Sequence, residues 1–183
     1  MILTKKNLPI NKNNENNDGN IILFDSVILQ KQHFDIIKKG LKTLYPNKVV
    51  KKSNFKILYR ASCDGDTIKT IMELVKNNKQ LLVIIKTDKG EIFGAFIPDS
   101  VSNELYYSRG FIFELVNKKI EYNYLFFQYQ SKNRKIYINP YFYINDSFSR
   151  KTSKILSNIN FNKFTSEPHP IYKELEIYSI SNY

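Results

Sequence analysis

The stretch 81–97 reads LLVIIKTDKGEIFGAFI and predicts the centre of the fold. Two apolar segments, residues 81–87 and 91–97, flank Asp88-Lys89-Gly90. A short polar turn that ends in glycine between two such segments is typical of a β-hairpin. The near-continuous apolar run LLVII indicates a strand that is covered on both faces. We therefore expect an antiparallel sheet whose central strand is fully buried.

Other segments extend this sheet. A second hairpin is predicted where two apolar segments flank Asn117-Lys118-Lys119. The predicted strands outside the first hairpin are residues 55–60, 111–116, 120–127, 134–138 and 175–180. Since most of these strands follow one another along the chain, the sheets are expected to be antiparallel.

Two helices are predicted before the first hairpin. Residues 26–39 carry apolar side chains at three- and four-residue spacing, with Asp25 or Ser26 as the cap and Gly40 as the stop. The second helix begins after Asp66 or Thr67 and runs to about residue 77. The apolar stripe of the first helix consists of Leu29, His33, Ile36, Ile37 and Leu41, and that of the second of Ile68, Ile71, Met72 and Val75.

These elements predict an α+β fold in which two antiparallel β-sheets pack as a sandwich with flanking helices. Residues 25–183 are expected to form one domain, because nothing within them is typical of a linker. Residues 1–24 are rich in Asn and Lys, and we expect a flexible leader there. No targeting segment is evident in the sequence.

The chain is basic, with 28 Lys and Arg against 17 Asp and Glu and a net charge of +11. Such a charge is compatible with a nucleic-acid or anionic-membrane partner. However, the arginines are only Arg60, Arg109, Arg134 and Arg150, and arginine is the better residue for recognising phosphates and bases. Solvated surface lysine is therefore the favoured interpretation, and a polyanion site stays the alternative.

Cys63 is the only cysteine, which excludes an intrachain disulfide and a cysteine-based zinc cluster. This pattern fits a protein of the cytosol, with the nucleus as an alternative. The neighbouring Asp64 disfavours the Cys63 thiolate, while the start of the next helix favours it. A redox role for Cys63 stays open.

Motifs for catalysis are not evident. We find no Gly-x-Ser-x-Gly elbow and no phosphate-binding glycine loop. The only histidines, His33 and His169, occur in different contexts, and His33 lies on the apolar stripe of the first helix. The sequence therefore predicts a protein that is not an enzyme and that carries no cofactor or metal.

Several blocks in a constant order resemble the TLDc family, the domain of oxidation-resistance proteins. The segment 55–65, FKILYRASCDG, is similar to the family's opening strand and Ser-x-Asp-Gly turn. The hairpin 82–94 is similar to a strand ending in Lys-Thr that is followed by a strand with Phe-Gly. Residues 111–115, FIFEL, match a Phe-Leu-Phe-x-Leu strand, and residues 171–178, IYKELEIY, resemble the closing Glu-x-Glu-aromatic strand.

The resemblance implies a β-sandwich without an established active site, protection against oxidative stress and binding to the vacuolar-type proton ATPase. The residues that we expect to shape the motif are Ser62, Asp64, Gly65, Gly90 and Gly94. At the turn, Gly65 is expected to adopt a positive φ and Asp64 to bind nearby backbone amides. Glu174 and Glu176 on the closing strand are candidate partner-binding residues.

A lysine- and aromatic-rich strip supports an alternative function, binding of DNA or RNA in stress-responsive gene regulation. Its basic residues are Lys132, Arg134 and Lys135. Its aromatic residues are Tyr122, Tyr124, Phe126, Phe127, Tyr129, Tyr137, Tyr141, Phe142 and Tyr143. Aromatic side chains beside cations can stack on nucleic-acid bases, whereas the same aromatics are also ordinary strand residues. The second interpretation is favoured. Lysines could also attach the chain to an anionic membrane surface.

Overall fold

The chain is described by a computed structural model that covers residues 26–47, 54–65, 67–99, 108–130, 135–139, 142–145 and 172–181. Three helices are described: α1 (Lys31–Leu44), α2 (Ala61–Asp64) and α3 (Ile68–Val75). The described strands are β1 (Asn54–Arg60), β2 (Leu81–Thr87), β3 (Ile92–Ile97), β4 (Ser108–Glu114), β5 (Lys119–Gln130), β6 (Lys135–Asn139), β7 (Phe142–Asn145) and β8 (Tyr172–Ser181).

The strands are hydrogen-bonded in the order β1-β8-β2-β3-β4-β5-β6-β7, and every pair is antiparallel. β5 belongs to two sheets. Its first part, from Lys119 to Leu125, pairs with β4 in the large sheet. Its second part, from Phe126 to Gln130, pairs with β6 in a small sheet that β7 completes.

The two sheets share one hydrophobic core. Alternate side chains of β2 point to opposite faces of the large sheet, as the period of a strand requires. Leu81, Val83 and Ile85 join a core cluster that also contains residues of α3 and, from the small sheet, Ile136 and Ile138. On the other face, Leu82 and Ile84 pack in the cluster that includes the apolar side of α1. The predicted α+β sandwich with flanking helices is thereby confirmed.

The predicted hairpins are present. β2 and β3 pair around Asp88-Lys89-Gly90, and β4 and β5 pair around residues 115–118. All residues of β2 but Lys86 are buried, which confirms the prediction of a strand covered on both faces. β7 was not predicted, because four residues carry too short a pattern to identify a strand.

The first helix differs from its prediction. It begins after Gln30 and continues through Gly40 to Leu44, so the predicted start near Ser26 and stop at Gly40 are wrong. Gly40 is inside the helix because the helix approaches β4 closely at this point. A Cβ at Gly40 would lie 2.6 Å from the ring of Phe111, so glycine serves the packing and not the end of the helix.

The predicted turn at residues 61–67 also differs, since residues Ala61–Asp64 form one helical turn with Gly65 as its cap. The following helix agrees with its prediction. Thr67 caps α3 by accepting a hydrogen bond from Thr70 N, and Ile68, Ile71 and Val75 are buried. No helix in the described part of the chain is long and apolar enough to span a membrane.

Candidate functional site

The Asp-Gly turn lies at the end of β1, where the chain leaves the large sheet. The Asp64 carboxylate accepts a hydrogen bond from Arg60 N at 2.7 Å. Gly65 adopts φ 84° and ψ 172°, a conformation that is almost restricted to glycine. The Tyr59 hydroxyl, on a fully buried side chain, donates to the Gly65 carbonyl at 2.7 Å. These contacts hold α2 against the end of the strand.

Ser62 connects this turn to the closing strand. Its backbone N–H donates to Glu174 Oε1 at 3.1 Å, and Leu175 N donates to the same oxygen at 3.1 Å. Glu174 is buried. Its carboxylate therefore connects the single turn of α2 to β8.

Glu176 lies two residues further along β8, opposite Arg60 in the register of the β1–β8 pair. Its Oε1 accepts from Arg60 Nε at 2.9 Å and from Val27 N at 3.0 Å. Its Oε2 accepts from Ser26 Oγ at 2.6 Å and from the Tyr178 hydroxyl at 2.8 Å. We call Ser26, Val27, Arg60, Glu176 and Tyr178 the Glu176 cluster.

The Glu176 cluster joins three parts of the chain: the segment before α1, the end of β1 and the middle of β8. The Glu176 side chain is 0% exposed and that of Arg60 is 14% exposed. A buried carboxylate is stable only when a counter-ion and hydrogen bonds compensate it. Four donors meet that requirement, and they engage both carboxylate oxygens.

The cluster also sets the protonation of its members. Burial alone would lower the pKa of the Arg60 guanidinium, but the Glu176 carboxylate raises it above its ordinary value. The pKa of the Tyr178 hydroxyl is raised, first by burial and further by Glu176, while the hydrogen bond with Ser26 acts in the opposite direction. Arg60 thus stays a cation and Tyr178 a neutral hydrogen-bond donor at neutral pH. Arg60 Nη2 is buried without a hydrogen-bond partner among the described residues.

Gly90 and Gly94 of the β2–β3 hairpin are each required to be glycine, but for different structural reasons. Gly90 adopts φ 83° in the turn between β2 and β3, where a side chain would be strained. At Gly94 the neighbouring strands come close. A Cβ there would overlap the Val83 carbonyl oxygen and would lie 2.7 Å from Phe113 Cζ.

The candidate partner-binding residues Glu174 and Glu176 both point into the protein. All their contacts described above are with other parts of the same chain. The geometry therefore assigns them a structural role in the free chain. A role in contacting a partner stays a prediction.

Of the remaining candidates for chemistry, one contacts the Glu176 cluster. Cys63 is an exposed free thiol in α2, and its hydrogen bond with the Arg60 side chain contributes to the raised pKa of that guanidinium. His33 is buried on α1, where its Nδ1 accepts from Gln30 N at 3.1 Å. Its pKa is lowered by burial and then by the charge of Lys86. His169 lies outside the described residues. Within the described part of the chain, no group of three or more His, Cys, Asp or Glu could hold a metal ion.

The lysine- and aromatic-rich strip is described only in part. Lys132 and Arg134 lie outside the described residues, and Lys135 is the first residue of β6. Phe127 is buried, and Tyr129 packs against the core shared by the two sheets. Tyr122 packs on the α1 side of the large sheet. The side chain of Tyr124 is 62% exposed. Most of the described aromatics thus serve the core, as the favoured interpretation expects.

Sequence reasoning missed four members of the Glu176 cluster: Ser26, Val27, Arg60 and Tyr178. One signal was available. Arg60 is one of four arginines in a chain whose positive charge is mainly lysine, and it ends a predicted strand. Arginine is the preferred cation for buried ion pairs. Its partner could not be found from the sequence, because Glu176 is 116 residues away.

A model of the TLDc domain family matches residues 22–181 of the chain. The match includes the Asp-Gly turn, both hairpins and the closing strand, and it extends from just before the Glu176 cluster to the end of β8. A comparison with curated proteins finds no match.

Proposed function

Because the chain belongs to the TLDc family, we propose that it is a non-catalytic interaction domain that binds the vacuolar-type proton ATPase. In this proposal it acts in the cytosol and contributes to resistance against oxidative stress. The observation that carries the proposal is the extent of the family match, which covers residues 22–181 of the 183-residue chain.

The Glu176 cluster supports a role without catalysis. A general base or nucleophile needs a free lone pair within reach of the substrate. Both oxygens of Glu176 accept hydrogen bonds from the chain itself, and its side chain is 0% exposed. Glu174 is buried and bonded to two backbone N–H groups. The acidic pair of the family motif thus holds the fold together.

The test is affinity capture of interacting proteins from native cell lysate at physiological salt, with and without nuclease, followed by protein identification. We expect proton-pump subunits in both samples. Glu176→Ala is the matched control, because it preserves the basic character of the chain while removing the centre of the Glu176 cluster. Loss of the pump subunits in this variant would show that capture depends on the fold and not on charge alone.

Two results would overturn the proposal. Absence of pump subunits from both samples would reject this partner. Capture that disappears with nuclease would instead favour the alternative, binding of DNA or RNA through basic surface residues, with the family membership describing the fold only.

A further inference from the structure

An exposed aromatic–cation pair lies on the α1 side of the large sheet. Arg109 of β4 is directly opposite Tyr124 of β5, just as Phe111 is opposite Tyr122 two residues further along. Side chains two residues apart on a strand share a face. Phe111 and Tyr122 have ring centroids 6.0 Å apart and pack in the α1-side cluster. Arg109 and Tyr124 therefore project on the same side, where both are exposed.

Three lysines lie on the outer side of the helix that covers this face. Lys38, Lys39 and Lys42 are exposed, while Ile37 and Leu41 of the same helix are buried against the sheet. α1 packs on β4, with Gly40 directly over the ring of Phe111. Lys39 and Lys42 thus lie one residue before and two residues after the glycine that contacts Phe111, which is itself two residues from Arg109 on β4. We call Lys38, Lys39, Lys42, Arg109 and Tyr124 the α1–β4–β5 surface.

The charge of the α1–β4–β5 surface is predominantly positive and is not neutralised within the described part of the chain. The Arg60–Glu176 and Lys69–Glu73 ion pairs do not involve this surface. Among the described residues, Asp35 lies on α1 and Asp99 acts on Tyr45 at the end of α1. Against these two carboxylates, the four cations of the surface leave an excess of positive charge that an acidic partner would complement.

The composition of this surface favours a protein partner. Tyrosine and arginine are the residues on which binding energy concentrates in protein interfaces, usually as a few anchors. A nucleic-acid platform would need several exposed aromatics in series. Among the described aromatics of this region, however, Phe127 is buried in the core, and Tyr122 and Tyr129 are partly buried and pack against it. A membrane surface would need an apolar anchor, whereas the outward side chains of α1 are polar, such as Gln32, Asp35 and Thr43.

We infer that the α1–β4–β5 surface is a docking site for an acidic protein segment, with Tyr124 as the anchor and Arg109 and the α1 lysines as the charge partners. This inference rests on the proposed function to the extent that the chain acts by binding a protein. It adds the surface used and the chemistry of the segment that is bound.

The first experiment uses a defined probe, a fluorescent 16-residue peptide rich in glutamate with one central leucine. Its binding to the full chain is measured by anisotropy at several salt concentrations. The comparison probes are the same peptide with glutamine in place of glutamate, a 16-nucleotide single-stranded DNA, and vesicles of phosphatidylcholine with phosphatidylserine.

Two double variants with the same change in net charge are compared. Arg109→Glu with Lys42→Glu alters the proposed surface, while Lys76→Glu with Lys79→Glu alters exposed lysines at and beyond the end of α3, on the other side of the sheet. We expect the first to weaken binding of the acidic peptide at least about tenfold and the second less than about threefold. Tyr124→Ala is expected to weaken it about fivefold, as for the loss of an interface anchor. Melting temperatures of all variants are expected to match that of the unaltered chain.

Three outcomes would overturn the inference: no binding of the acidic peptide, equal weakening by both double variants, or tighter binding of DNA or vesicles than of the peptide. The proposed function is tested separately by capturing proton-pump subunits with the same two double variants. If both capture the pump equally well, the surface is wrong and the proposed function stands. If no chain captures the pump while the acidic peptide binds as expected, the surface stands and the proposed partner is wrong.

Discussion

The Glu176 cluster and the α1–β4–β5 surface both concentrate charge, but in different environments. In the first, one carboxylate with 0% exposure is bonded to four donors from three parts of the chain. In the second, Arg109 and three lysines of α1 are exposed and take part in none of the described ion pairs. A buried charge must be compensated inside the fold, whereas exposed charges contribute little to stability and are available to a partner.

This difference separates the charged residues that stabilise the fold from those that are available to bind a partner. The glutamates of the closing strand, which a sequence motif marks as special, stabilise the domain. The basic residues of the outer face, which no motif marks, are the ones left open for recognition. Mutations in the two regions should therefore separate stability from binding.

The largest effect is expected for Glu176→Ala. This change leaves the Arg60 guanidinium, which is only 14% exposed, without its counter-ion and leaves Ser26 and Tyr178 without their acceptor. Loss of one partner of a buried ion pair destabilises a protein by about 3–5 kcal/mol. The measurement is the free energy of unfolding in urea, together with the melting temperature.

The matched control for that variant is Glu73→Ala. Glu73 forms an exposed pair with Lys69 on α3 at 3.9 Å, and such pairs contribute less than about 1 kcal/mol. If the two variants lose similar stability, the contrast between buried and exposed charge does not hold in this domain.

A smaller loss of stability is expected for Gly65→Val, which tests the turn beside the Glu176 cluster. No atom lies within 4 Å of a Cβ built at Gly65, so the effect comes from its backbone conformation and not from crowding. A non-glycine residue in that region is disfavoured by about 1–3 kcal/mol. Ser62→Ala, in the same turn, leaves the backbone unstrained and is the control in thermal unfolding. Unchanged stability of the Gly65 variant would reject the assignment of this turn.

The smallest effect is expected for His33→Gln, which alters how the stability of the domain depends on pH. The folded chain lowers the pKa of His33 below its ordinary value, mainly through burial. As the pH falls, His33 therefore takes up a proton in the unfolded chain before it does so in the folded chain. The contribution of neutral His33 to the stability of the folded state is thus complete above about pH 6.5 and is lost below it. His33→Gln should flatten the fall in melting temperature between pH 7 and pH 5. An unaltered pH profile in this variant would show that other groups cause the fall.

Much of the fold was predictable because it depends on local patterns. The two hairpins, the apolar face of α3 and the burial of β2 follow from residues that are close along the chain. The boundaries of α1 were not predictable in the same way. Gly40 has the usual property of a helix stop, yet the packing of Phe111 against it keeps it within the helix. Tertiary contacts outweigh the weak intrinsic preference of one residue.

The candidate site was predictable only as a set of motif residues. Asp64 and Gly65 could be assigned to a turn from their types alone, because the φ that glycine adopts is a property of its own backbone. The orientation of Glu174 and Glu176 could not be assigned, since the register of β8 between β1 and β2 decides it.

The sequence by itself determined the class of the fold, its hairpins and its turn glycines, because these depend on short-range sterics and on the period of apolar side chains. Only the tertiary structure decided that Glu176 is buried with Arg60 and that Arg109 and Tyr124 emerge on the face covered by α1. The physical reason is distance along the chain. Contacts such as that between Ser26 and Glu176 join residues 150 positions apart, and no local preference encodes which of them will meet.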